Sequence, residues 1–198
     1  MYGNIKYINN KMRGMKMKKI LIVVGHNNIQ KGEYAKALGE QEYDYWKSVC
    51  EKIVEKSNKQ NLNVEMTLRD YKASYQKEMQ KVVNLINENH YDIVFELHFN
   101  QYKSDKKVGG AECLVFHKSS SHNIAKSLLC KLQEEFGVKN RGLVLIKDKN
   151  ERGGYGIVKS IAPYILVEPF FGSNDEEAKK FTDKEKVSNF FVEFLKGI

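Results

Sequence analysis

The sequence predicts a single α/β domain, a mostly parallel, twisted sheet with helices on both faces. Short apolar, β-branched runs such as KILIVV and YILVE alternate with longer segments whose apolar residues fall at helical spacing. Length and composition bound the reading. A chain of 198 residues suits one domain with a substantial core, and 41% hydrophobic residues with only two prolines exclude a disordered chain.

Residues 1–17 show no clean period and are expected to form a flexible arm ahead of a domain spanning 18–198. KILIVV is continuously apolar and reads as a central strand buried on both faces, running into GHNN. From residue 43, Trp46, Val49, Cys50, Ile53 and Val54 fall on a helical stripe, with Asp44 in the first turn where a carboxylate suits the helix dipole; this helix should end near residue 57. NVEMTLR alternates as a second strand. SYQKEMQKVVNLINENH puts Met79, Val82, Val83 and Ile86 on one face, and YDIVFELHF follows as another apolar strand. Strand AECLVF, helix HNIAKSLLCKLQEEF, an irregular stretch over 140–157, strand YILVE and helix KEKVSNFFVEFLK complete the alternation.

The formal charge of +8 points to an anionic partner, although most lysines are spread along helices as on ordinary solvated faces. No compact Arg/Lys cluster with interleaved aromatics marks a nucleic-acid surface, so none is expected as a partner. Three cysteines, Cys50, Cys113 and Cys130, are too dispersed for a zinc knuckle or disulfide framework, and the odd count favours free, buried thiols. The apolar run from Ile20 is shorter than the ~7–15 residues of a signal-peptide core, and nothing approaches the ~20 that span a bilayer. The expectation is synthesis in the cytoplasm without a signal peptide and no membrane insertion.

Ligands of open α/β sheets gather at the carboxyl edge of the strands. His26 follows the first strand, His98 closes DIVFELH and Glu168 closes YILVE. An ionisable residue ending three apolar strands is costly unless something compensates it, and a bound dication would. The connection from the first strand to the first helix adds Glu40 and Glu42, either of which can fold back beside His26. Two histidines and one carboxylate, with the fourth position left to water, form a ligand set of catalytic zinc, and a further glutamate can move its protons. Glu96 lies two residues before His98 and points to the same side of its strand. His90, His117 and His122 read as structural or solvated.

The ordered set GH, EYDYW, TLRD, LHFN, NRGL and ILVEPFFGSNDEEA resembles the zinc-dependent N-acetylmuramoyl-L-alanine amidases of cell-wall turnover and phage lysis, from about residue 18 to 198. The resemblance implies one zinc ion per chain held by His26, Glu42 and His98, with Glu168 as the catalytic acid and base. It implies hydrolysis of the amide between the lactyl group of N-acetylmuramic acid and L-alanine in peptidoglycan. Zinc would lower the pKa of bound water to ~7 and polarise the carbonyl. Arg141 is expected to help hold the anionic stem peptide and Asn100 to hydrogen-bond in the groove, while the basic surface favours anionic wall polymers.

The chain departs from the family pattern in three places: NN after GH, Glu96 where a small residue is common, and Trp46 where Asn is common. Glu96 is expected to lower the net charge of the site and weaken its Lewis acidity. With no export signal, a phage or prophage endolysin acting on the wall after release fits the sequence. The alternatives are a zinc peptidase of stem peptides and an inactive wall-binding module.

Overall fold

The computed structural model describes residues 17–198, so the arm expected over 1–17 lies outside the described residues apart from Met17. Among the described residues there are eight strands: β1 (Ile20–Asn27), β2 (Tyr34–Ala35), β3 (Glu40–Gln41), β4 (Val64–Arg69), β5 (Ile93–Leu97), β6 (Ala111–Phe116), β7 (Asn140–Ile146) and β8 (Tyr164–Glu168). The helices are α1 (Glu42–Lys59), α2 (Tyr75–Asn89), α3 (His122–Phe136), α4 (Gly154–Lys159), α5 (Asp175–Ala178) and α6 (Lys184–Lys196).

Six strands form one sheet in the order β4-β1-β5-β8-β6-β7. The pairs β1–β4, β1–β5, β5–β8 and β6–β7 are parallel, and β6–β8 is antiparallel. The sheet is therefore mostly parallel, as the alternation of strands and helices requires. The single reversal has a functional consequence: β6 and β7 start at the edge where β1, β5 and β8 finish.

Alternate residues of the central strands feed two cores. Ile20, Ile22 and Val24 of β1 join Trp46 and Ile53 of α1, Leu128 and Leu132 of α3, and Phe191 and Leu195 of α6. Leu21 and Val23 face the opposite way, to Met79, Val82 and Ile86 of α2 and Ile157 of α4. This period of two, buried on both sides, explains why β1 is apolar without interruption.

Helix ends follow local chemistry. Ser74 accepts from the Lys77 backbone N–H to start α2, and Asp183 accepts from those of Glu185 and Lys186 to start α6. Glu42 and Asp44 occupy the first turn of α1. Phe136, Phe181 and Phe170 stack with centroid spacings of 4.4 and 4.2 Å, and Phe99 continues the column 5.2 Å from Phe170. Each such pair adds roughly 0.5–1.5 kcal/mol beyond its buried area. The column anchors the backbone immediately after His98 and Glu168.

Three expectations need correction. The stretch 140–157 is not irregular: Asn140–Ile146 is the edge strand β7 and Gly154–Lys159 is α4. Its edge position leaves Val144 and Leu145 exposed, which blurs the alternation expected of a half-buried strand. β1 does not stop before His26 but continues to Asn27 through a register shift after Val23. Cys50 and Cys113 are free and buried as expected, whereas the free Cys130 is exposed on α3.

Candidate metal centre

His26 sits in the irregular part of β1 with a positive φ of 62°. A left-handed residue other than glycine costs on the order of 1 kcal/mol or more, so neighbouring contacts must hold it. Asn27 supplies them: its side-chain oxygen accepts from the backbone N–H groups of Ile29 (2.9 Å) and Gln30 (2.7 Å), closing the turn after the histidine. His98 follows β5, and the buried Glu42 is the first residue of α1, directly after the β2–β3 hairpin.

These three residues converge. Glu42 Oε2 lies 3.1 Å from His26 Nε2, and Glu42 Oε1 lies 2.8 Å from His98 Nδ1. The imidazoles stand 5.0 Å apart at 72°. One donor atom from each residue falls within a 4.8 Å span. Two imidazole nitrogens and a carboxylate oxygen so close together, on side chains largely removed from water, fit a dication of the zinc class.

Two glycines make the approach possible. A Cβ at Gly25 would lie 2.6 Å from the His98 ring, and one at Gly32 would lie 2.7 Å from both Glu42 Oε2 and His26 Cδ2. Gly32 also has a φ of 76°, which disfavours any side chain there.

The electrostatics follow from burial opposed by charge. Burial raises the Glu42 pKa, but hydrogen bonds to both histidines outweigh it and hold the carboxyl at about 2. Burial disfavours a charged His98, yet hydrogen bonds to Glu42 and Glu96 raise its pKa to about 10. Glu96 is completely buried, and its hydrogen bond with His98, helped by Arg69 and Tyr164, keeps it at about 2 against the desolvation cost.

Glu168 ends β8 and shares a hollow of about 520 Å³ with His26, Glu42, His98, Asn100 and Arg152. Burial pushes its carboxyl up to about 7, the charges of Glu42 and Glu112 add to the rise, and His98 and Arg152 oppose it. A carboxyl poised there can take and return a proton near neutral pH.

Glu40, the other carboxylate of the connection, lies outside the cluster and pairs with Lys184 at 2.7 Å. Asn100 lines the hollow and donates to Glu112 at 2.9 Å. Arg141 lines an adjoining hollow of about 570 Å³, where its Nε donates to Glu112 at 2.9 Å and its guanidinium lies over the Phe171 ring. Of the two arginines in residues 140–157, Arg152 therefore reaches the cluster's hollow while Arg141 borders it.

Glu112 and Arg152 escaped the sequence reading. Glu112 pairs with both Arg141 and Arg152, which hold its carboxyl below the usual range despite burial. The available signal was an acidic residue inside the apolar run AECLVF. His117 and His122 bond backbone carbonyls of Ile146 and Phe116, and His90 closes α2 in the left-handed region.

No curated protein sequence matches the chain. The catalytic domain of the CD27L endolysin targeting Clostridia difficile superposes with a TM-score of 0.73 at 27% identity, over 91% of this chain and 97% of that one. The CwlD amidase from Clostridioides difficile, solved with the GerS lipoprotein, gives a TM-score of 0.73 at 21% identity, over 89% and 94%. An N-acetylmuramoyl-L-alanine amidase from Clostridium difficile 630 gives 0.73 at 19%, over 92% and 97%. The family model for N-acetylmuramoyl-L-alanine amidases of the Amidase_3 type matches residues 20–198. The chain belongs to that N-acetylmuramoyl-L-alanine amidase family.

Proposed function

We propose that this protein is a zinc-dependent amidase that hydrolyses the bond between N-acetylmuramic acid and L-alanine in peptidoglycan. The observation that carries the reading is the convergence of His26, Glu42 and His98, one donor atom from each within 4.8 Å, in the hollow that Glu168 also lines. Family membership supports the substrate.

In this reading His26, Glu42 and His98 hold one zinc ion, which supplies Lewis acidity toward water and the scissile carbonyl. Glu42 is anionic at any working pH because its histidine neighbours hold its carboxyl at about 2. Glu168, raised by burial to about 7, accepts the proton of the attacking water and passes it to the leaving nitrogen of L-alanine. Asn100 orients groups entering the hollow, and Arg141, with Arg152, offers guanidinium donors to stem-peptide carboxylates.

We infer a role as an endolysin, supported by the similarity to the CD27L endolysin catalytic domain. The excess of positive charge favours anionic wall polymers. Among the described residues no helix is long and apolar enough to cross a membrane.

Two substitutions separate the roles. Glu168→Ala should abolish hydrolysis while zinc content stays near one per chain; His98→Ala should lose both. Retained hydrolysis in either variant would overturn the assignment.

A further inference from the structure

Behind the metal centre lies a buried polar chain that the mechanism does not use. Tyr164 donates to Glu96 Oε2 at 2.8 Å, and Glu96 Oε1 faces His98 Nε2 at 3.0 Å and Arg69 Nη1 at 3.3 Å. Arg69 Nη2 then donates to Glu78 at 2.9 Å, and both Glu78 oxygens accept from the Asn27 side-chain amide at 3.1 Å. Tyr164, Glu96, Arg69, Glu78 and Asn27 are all buried. Two carboxylates and a guanidinium removed from water cost several kcal/mol per ion before pairing, and apolar residues would fill the same space more cheaply. Such a network calls for a reason beyond stability.

Its two ends supply one. At one end Glu96 takes the outer nitrogen of the His98 ring. An imidazole that presents its Nδ1 lone pair to a cation carries its proton on Nε2, and Glu96 Oε1 stands where that N–H must point. At the other end Asn27 closes the turn that keeps His26 left-handed.

We propose that Glu96 is a positioning residue that fixes the ring orientation and tautomer of His98, and that the Arg69–Glu78–Asn27 chain extends the same control to the His26 turn. This rests on the reading that His26, Glu42 and His98 hold zinc. Glu96 thus acts from behind the ring and shares its charge with Arg69, instead of facing the cation from the open side. The bidentate spread of Arg69 over Glu96 and Glu78 couples the two histidines, which no hydrogen bond between the rings could do. Tyr164, whose hydroxyl burial keeps protonated, fixes the second Glu96 oxygen so that the first stays aimed at His98.

The test is zinc affinity by competition with a chromophoric chelator, together with ¹⁵N–¹H spectra of the zinc-loaded protein that report which ring nitrogen of His98 carries the proton. In the wild type Nε2 should carry the proton. Glu96→Leu should weaken zinc binding about 10- to 100-fold and mix or reverse the His98 tautomer. Glu96→Gln, whose amide oxygen can still accept, should restore the tautomer and recover part of the affinity. Tyr164→Phe, which removes one hydrogen bond and keeps the ring, guards against a fold failure in Glu96→Leu and should weaken zinc several-fold. Zinc affinity and His98 tautomer unchanged in both Glu96→Leu and Tyr164→Phe would overturn the proposal alone. Wild-type protein that takes up no zinc would overturn the metal reading, and the proposal with it.

Discussion

Glu112 and Glu168 face each other as register partners across the antiparallel β6–β8 pair, yet their carboxyls are driven in opposite directions. Both are buried, but Arg141 and Arg152 hold Glu112 below the ordinary carboxylate range, whereas burial leaves Glu168 at about 7. Two carboxyls with separated proton affinities suit different work: one anchors arginines, and the other is placed to exchange a proton near neutral pH.

The first prediction concerns stability of the metal-free protein. The folded pKa of Glu168, about 7, exceeds the ordinary 4.5, so the native state binds the proton more tightly. The resulting stability is fully present below pH 4.5 and is lost as pH rises through 7. Glu168→Gln carries no such proton and should gain about 3 kcal/mol over wild type between pH 4.5 and 8. Thermal unfolding of the two metal-free proteins at pH 4.5 and pH 8 measures this, and a constant difference would contradict it.

Arg152 lowers the Glu168 pKa through its charge. Arg152→Met should therefore move the acidic limb of the kcat/KM profile to higher pH, because Glu168 needs less acid to stay protonated. Arg152 is also one of two cations on Glu112, and its loss leaves that carboxylate less neutralised and pushes Glu168 further the same way. An unmoved limb would count against Glu168 as the titrating base.

Gly32 and Gly39 provide a matched pair. Both have positive φ, 76° and 71°, so alanine strains either backbone similarly. A Cβ at Gly32 collides with Glu42 and His26, while at Gly39 it meets nothing within 4 Å. Gly32→Ala should weaken zinc tenfold or more, and Gly39→Ala should match wild type in zinc affinity despite lower thermal stability. Equal zinc affinities would show that the loop does not set the donor geometry.

The parts of this molecule legible in its sequence are those where burial imposes a period. β1 is continuous and apolar because both its faces are covered, and α2 shows one stripe because one face is. β7 was illegible because an edge strand with exposed Val144 and Leu145 is under no such constraint. The same holds for the site. His26, His98 and Glu168 stand out as ionisable ends of apolar strands. Glu112 does not, because β6 runs against β8 and contributes its beginning to the edge where its neighbours contribute their ends. Glu40 and Glu42 were equivalent by position; a lysine 144 residues away captures the first, and the inward side of the α1 start takes the second.

The most direct measurement is digestion of purified peptidoglycan by zinc-loaded protein, with released material assayed for new amino termini and new reducing sugars. The account predicts new L-alanine amino termini that vanish with a chelator, return with added zinc, and come without new reducing ends. New termini on other residues, or release that a chelator leaves untouched, would contradict it.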